Sequence, residues 1–181
     1  PGVLTEALIK TGCHIVAIEK DRLFAEHLPR LSKEIRVIEG DFLEQDLKKL
    51  LPKKTKVVAN LPYSLTSPIL EKLFQNSDLF DTLHLMVQKE VADRIVSQPG
   101  SKQYGALTVF CNMYTESKIA LKVKATCFHP RPKVDSAVVS FKIKASTPNI
   151  DREAFSHFVK SLFSFRRKMI SNSMKRLYDQ M

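Results

Sequence analysis

Short apolar runs, each followed by a polar turn and then by apolar residues three and four apart, recur along the first half of the chain. His14 to Ile18, Ile35 to Glu39, Lys56 to Ala59 and Thr82 to Val87 are of strand length, and they read as strands of a largely buried parallel sheet, the Lys56 run as one covered on both faces. Helices separate them. The first enters from Pro1-Gly2 and closes at Gly12 in the C′ position. The second starts after Asp21, carries Leu23, Phe24, Leu28 and Leu31, and is kinked or ended early by Pro29. The third takes Ser67 as N-cap with Pro68 at its first position and shows one apolar face of Ile69, Leu70, Leu73 and Phe74. A fourth runs through Val91, Ile95 and Val96. Such alternation predicts βαβ units and a mostly parallel sheet.

The second half changes character. Tyr104 to Tyr114 predicts a helix with Leu107, Phe110, Cys111 and Tyr114 on one face, and strands near 119–126 and 137–143 flank a Pro-rich turn. From Asp151 the period is helical, through Phe155, Phe158, Val159, Leu162 and Phe163 and then Met169, Ile170, Met174 and Leu177.

Composition narrows the function classes. At 181 residues and 44% hydrophobic content, one main domain with a small appendage is expected. There is no bilayer-spanning apolar run and no signal peptide at the start of the chain. Cys13, Cys111 and Cys127 stand apart without zinc-like spacing, which predicts buried thiols, no metal and a reduced, cytoplasmic setting. Charge is unevenly spread: residues 1–99 hold 14 Lys+Arg and 14 Asp+Glu, residues 100–181 hold 15 and 5. An excess confined to one segment favours a polyanion, nucleic acid ahead of membrane.

Candidate chemistry centres on Asn60-Leu61-Pro62-Tyr63, at the carboxyl end of the third predicted strand, where open α/β sheets bind ligands. Pro62 extends Leu61 and can leave its carbonyl free, Asn60 offers an amide oxygen, and Tyr63 offers a flat ring. Two acceptors beside a ring suit a planar substrate bearing an NH2 group, such as adenine or an amide. The bland alternative is a simple turn, which is the commoner use of Asn and Pro. Glu19 ends the first predicted strand, seventeen positions after Gly2, close to the ~20 at which a carboxylate meets ribose hydroxyls. Gly40-Asp41 taken alone is a turn.

Several longer stretches extend the signal: Gln88 to Ile95, Pro99 to Gly105, Phe128-His129-Pro130-Arg131-Pro132-Lys133-Val134-Asp135-Ser136, and Phe165-Arg166-Arg167-Lys168. Together with Asn60 to Tyr63 they resemble, in order and over nearly the whole chain, the small-subunit ribosomal RNA adenine dimethyltransferases. The resemblance implies an α/β fold, the Rossmann-like sheet of class I S-adenosylmethionine-dependent methyltransferases, here without its first strand, in residues 1–145. Residues 146–181 would begin a small helical RNA-contacting domain. By the same resemblance Gly2, Glu19, Lys20, Asp41, Phe42 and Asn60 bind S-adenosylmethionine, Asn60, Leu61, Pro62 and Tyr63 are catalytic, Tyr63 and Phe128 stack on the target base, and Arg131, Lys133, Arg166, Arg167 and Lys168 contact RNA.

The implied reaction is dimethylation of the exocyclic amines of adjacent adenines near the 3′ end of small-subunit rRNA, in a pre-ribosomal particle and by a monomer that uses no metal. The family's longer glycine loop and first strand would precede Pro1, so weak cofactor binding is expected of these residues alone. Two alternatives remain open: a large-subunit rRNA adenine methyltransferase of the antibiotic-resistance type, and a non-catalytic RNA-binding assembly factor.

Overall fold

Gly2 opens the first helix in a left-handed conformation, φ +86°, where a Cβ would lie 3.0 Å from Leu31 Cδ1. The left-handed φ favours glycine at the turn, and a side chain there would ask Leu31 to shift. The computed structural model describes residues 2–146, 150–164 and 169–178, and the chain divides into two units, Pro1–Pro52 and Lys53–Met181.

In the first unit α1 (Val3–Ile9) is capped at its C-terminus by Lys10, and Gly12, with φ +72°, donates its N–H to the Ile9 carbonyl at 3.0 Å. The glycine therefore lies one position beyond the expected C′, because the helix ends a residue earlier. Strand β1 (Ile15–Glu19) runs parallel to β2 (Ile35–Glu39), with Ile15 opposite Ile35 and Glu19 opposite Glu39. Between them α2 (Arg22–His27) starts on Asp21, whose carboxylate accepts from the N–H groups of Leu23 and Phe24. A 3-10 turn, Leu28–Arg30, replaces the rest of that helix where Pro29 removes a donor. One further turn, α3 (Leu47–Leu50), is capped by Asp46; four residues are too few for a period to reveal.

The second unit is built on a four-stranded sheet in the order β3 (Thr55–Asn60), β4 (Phe80–Gln88), β6 (Ser136–Ile143), β5 (Thr115–Val123). Strands β3 and β4 are parallel, and β6 is antiparallel to both β4 and β5. The antiparallel pair expected around the Pro-rich turn is present. Strand β5 starts at Thr115, before the predicted 119, since it leaves α6 (Ala106–Tyr114) without a loop. Leu83, Leu85 and Val87 of β4 face Phe141, Val139 and Ala137 of β6, and all six are fully buried. Onto this face α4 (Thr66–Gln75) packs Ile69, Leu70, Leu73 and Phe74. Phe74 lies 5.4 Å from the Tyr114 ring and 5.9 Å from that of Phe141, and burial of a Leu or Phe side chain contributes about 1.5–3 kcal/mol.

Three expectations need correction. Ser67 is not an N-cap: a 3-10 turn, Tyr63–Leu65, leads straight into α4 at Thr66, whose hydroxyl donates to the Tyr63 carbonyl at 3.3 Å. Pro68 then sits in the first turn, where an N–H has no helical acceptor to lose. Strand β3 is not covered on both faces, for Lys56, Val58 and Asn60 are exposed in alternation; within its sheet it is an edge strand. Of the thiols only Cys111 is buried, while Cys13 and Cys127 are exposed.

Beyond the sheet come α5 (Lys89–Ile95), which buries Ala92 and Ile95, then α7 (Arg152–Ser164) and α8 (Ile170–Tyr178). Helix α7 is tied to α4 by Arg152, which donates to the carbonyls of Phe74 (3.2 Å) and Gln75 and lies 5.7 Å over the Tyr114 ring. A cation at a helix C-terminus answers its open carbonyls and its dipole. Ser156 and Lys160 of α7 also reach Glu71, each at 3.2 Å. Val159 faces inward and Phe158 outward. Among the described residues no helix is long and apolar enough to cross a membrane.

Candidate functional site

At the end of β3 the ladder continues one residue further, as the Leu61 N–H donates to the Met86 carbonyl at 3.1 Å. Pro62, at φ −62° and ψ 127°, then turns the chain into the Tyr63–Leu65 turn. Among the described residues neither the Leu61 carbonyl nor the Asn60 amide engages a hydrogen-bond partner. The Leu61 side chain is buried and fixes the backbone that carries these two acceptors. Tyr63 is fixed from another strand, with its hydroxyl 2.8 Å from Ser136 Oγ at the start of β6.

The β5–β6 connection brings the opposing wall. A 3-10 turn, Ala125–Cys127, hands on to Phe128, whose N–H donates to the Ala125 carbonyl at 3.3 Å. Asp135 closes the loop: its carboxylate accepts from the Ala125 N–H at 2.8 Å and its carbonyl from the Lys89 N–H at 2.9 Å. The result is a cavity of about 230 Å³ lined by Asn60, Leu61, Pro62, Tyr63, Phe128, Pro130 and Pro132. That is below the ~300–1,000 Å³ usual for drug-sized ligands and suits one flat ring system. Residues 128, 130 and 132 line it, while His129, Arg131 and Lys133 alternate with them and are exposed. Ser136 and Asp135 support the site without a local pattern that marks them for it, although both close the 128–136 stretch.

The first unit gathers Glu19, Lys20, Asp41 and Phe42 at the carboxyl ends of its parallel strands. Glu19 Oε1 accepts from the Asp21 N–H at 2.8 Å, and the Glu19 carbonyl from the Gly40 N–H at 2.9 Å. Asp41 Oδ1 accepts from the Leu43 N–H at 2.9 Å and Oδ2 pairs with Lys20 Nζ at 2.8 Å. That bond and the carboxylate charge hold the Lys20 ammonium above the usual lysine range. Gly40, at φ +147°, admits the close approach of Gln45 Nε2, which would lie 2.9 Å from a Cβ. Phe42 begins a 3-10 turn, Phe42–Glu44, and Gly2 shapes the start of α1. Arg166, Arg167 and Lys168 lie outside the described residues. Among the described residues no cluster of three or more His, Cys, Asp or Glu could hold a metal ion.

The sequence profile described as "Ribosomal RNA adenine dimethylase" matches residues 1–181. The chain belongs to that family. Relatives of the chain include Ribosomal RNA small subunit methyltransferase A of Protochlamydia amoebophila (strain UWE25), 41% identical over 188 residues that cover 99% of this chain and 66% of the relative. The protein of that name from Chlorobium phaeobacteroides (strain BS1) is 42% identical over 179 residues, 98% of this chain and 68% of the relative. The chain thus spans about two thirds of these relatives' length. Among solved structures, a dimethyladenosine transferase from Plasmodium falciparum is similar with a TM-score of 0.73 and 26% identity, covering 97% of this chain and 73% of that one. The 23S rRNA methyltransferase ErmE is similar with a TM-score of 0.66 and 25% identity, covering 89% and 66%. The chain has the class I methyltransferase α/β fold that these two structures share.

Proposed function

We propose that this protein is an S-adenosylmethionine-dependent methyltransferase that adds two methyl groups to the exocyclic amine of adenine in small-subunit ribosomal RNA. The observation that carries the reading is the cavity itself: two acceptors without a partner among the described residues, Asn60 and Leu61, line it together with the rings of Tyr63 and Phe128. An adenine amine has two N–H bonds to donate and a flat ring to stack. Stacking on an aromatic side chain contributes ~1–3 kcal/mol per base and lets a base leave its own stack.

S-adenosylmethionine supplies an activated methyl group on a sulfonium. The amine is a weak nucleophile because its lone pair is delocalised into the ring. Acceptance of both N–H bonds by the Asn60 amide oxygen and the Leu61 carbonyl favours a pyramidal nitrogen with its lone pair directed out of the ring plane. Positioning thus does the work that a strong base would otherwise do. On the first unit, Glu19 has a second carboxylate oxygen available for ribose hydroxyls, since only Oε1 is used by the Asp21 turn. Asp41, whose carboxylate takes the Leu43 N–H and faces Lys20, is by resemblance the acceptor for an adenine amine. These acids fit the cofactor's adenosine, with Gly2 and Phe42 beside the same strand ends by resemblance.

Arg131 and Lys133, with Arg166, Arg167 and Lys168, answer RNA phosphates, and residues 146–181 begin the helical RNA-contacting part. The reading places a monomer in the cytoplasm, acting on a pre-ribosomal particle at adjacent adenines near the rRNA 3′ end. The large-subunit alternative is disfavoured by the small-subunit names of relatives at 41–42% identity. The test supplies labelled S-adenosylmethionine and under-methylated small subunits, then reads nucleoside digests by mass spectrometry. Dimethyladenosine formation that disappears in Asn60→Ala is expected; particle binding without any methylation would instead favour an assembly factor.

A further inference from the structure

The Tyr63 ring stands on a single 3-10 turn, outside both the strand before it and the helix after it. Its hydroxyl nevertheless meets Ser136 Oγ at 2.8 Å, across 73 residues of sequence. Ser136 is fully buried and lies between two strands, paired with Gln88 of β4 on one side and Val123 of β5 on the other. It is therefore a fixed point, and the tyrosine is the element that needs one. The residue before it, Asp135, pins the opposite wall by accepting from the Ala125 N–H, at the base of the turn that presents Phe128. Two adjacent residues at the start of β6 thus hold both rings of the cavity.

We infer that Ser136 is a positioning residue for the target base: through Tyr63 it sets the place of one ring of the cavity lining, as Asp135 does for the turn that carries Phe128. The inference rests on the proposed base pocket. Ser136 acts through Tyr63, by holding in place a ring that lines the cavity. Loss of one hydrogen bond of this kind amounts to about fivefold in affinity, felt in base binding and in KM, with cofactor affinity unchanged.

The test uses an RNA hairpin carrying 2-aminopurine as an unpaired loop base, whose fluorescence is quenched on stacking, with wild type, Ser136→Ala, Ser136→Thr, Tyr63→Phe and the double variant Ser136→Ala/Tyr63→Phe. Expected are quenching by wild type, binding about fivefold weaker in Ser136→Ala, recovery in Ser136→Thr, which keeps the hydroxyl, and a double variant no worse than either single one, because both remove the same bond. Quenching by wild type with Ser136→Ala unchanged, or losses that add in the double variant, would overturn the inference and leave the base pocket standing. No quenching by wild type would overturn the base pocket itself, and the role of Ser136 with it.

Discussion

The polar groups at the ends of β1 and β2 and those at the end of β3 differ in where their hydrogen bonds go. Glu19 and Asp41 are already engaged by backbone N–H groups and by Lys20. The Asn60 amide and the Leu61 carbonyl, among the described residues, accept nothing. Acids of the first kind have a structural occupation besides any ligand, so removing them disturbs a turn as well as a site. Acceptors of the second kind contribute little to the fold and are open to something outside it. The contrast separates residues whose loss shows in stability from residues whose loss shows in activity.

The largest effect that would break this contrast is at Asn60. Asn60→Ala is expected to lower the methylation rate by about 10²–10³, as removal of one oriented hydrogen-bonding group does in other active sites. The melting temperature should stay within about 1–2 °C of wild type, since a surface change away from packed features costs under ~0.5 kcal/mol. A large loss of stability would show that the amide has an internal role, and the distinction would fail at its clearest case.

Arg152 tests the opposite end. Its guanidinium answers two carbonyls at the C-terminus of α4 and covers the Tyr114 ring. Arg152→Ala should cost about 2 kcal/mol, from lost charged hydrogen bonds at ~1.5–3 kcal/mol offset by access of water to the freed carbonyls. Thermal unfolding should register a drop of several degrees, while cofactor affinity measured by calorimetry stays unchanged. Lysine at this position should recover only part, because it lacks the planar fork.

How far the chain announced this arrangement depends on the range of the interaction. Strands β1, β2 and β4 are written in contiguous apolar runs, and the apolar face of α4 in three-and-four spacing, so local patterns were enough. The edge position of β3 is not local: Val57 and Val58 look alike in sequence, yet one is half-buried and the other 36% exposed. The start of α4 is not written locally, because Pro68 suits any position in a first turn, and only the preceding 3-10 turn decides which one it takes. Asn60 to Tyr63 were legible as candidate chemistry and Phe128 by resemblance, and the structure brings them together. Ser136 was not, for no periodicity links it to Tyr63.

Asp41 stands between the two classes and sharpens the line between them. Asp41→Asn keeps an oxygen for the Leu43 N–H but loses the charge that Lys20 faces. Affinity for S-adenosylmethionine should fall by about tenfold, the scale of one charged hydrogen bond, and Lys20 should return to the ordinary lysine range. Stability should move little, since an exposed ion pair is worth ~0–1 kcal/mol. Unchanged cofactor affinity would remove Asp41 from the binding set and leave it a turn residue.

The smallest effect concerns the cysteines, where burial alone sets the difference. Cys111 is fully buried and its thiol is pushed far above the usual range by desolvation, whereas Cys13 and Cys127 are exposed. Alkylation of the native protein followed by peptide mass spectrometry should label Cys13 and Cys127 and spare Cys111 until the chain is unfolded. The sign of the pH dependence follows. Above the ordinary thiol value of 9.0 the unfolded chain releases this proton and the folded one retains it, so stability falls with rising pH, by up to about 1.4 kcal/mol per pH unit. Denaturant titrations at successive alkaline pH values should show a shallower decline for Cys111→Ala than for wild type; equal slopes would mean that the folded state gives up the Cys111 proton as readily as the unfolded one.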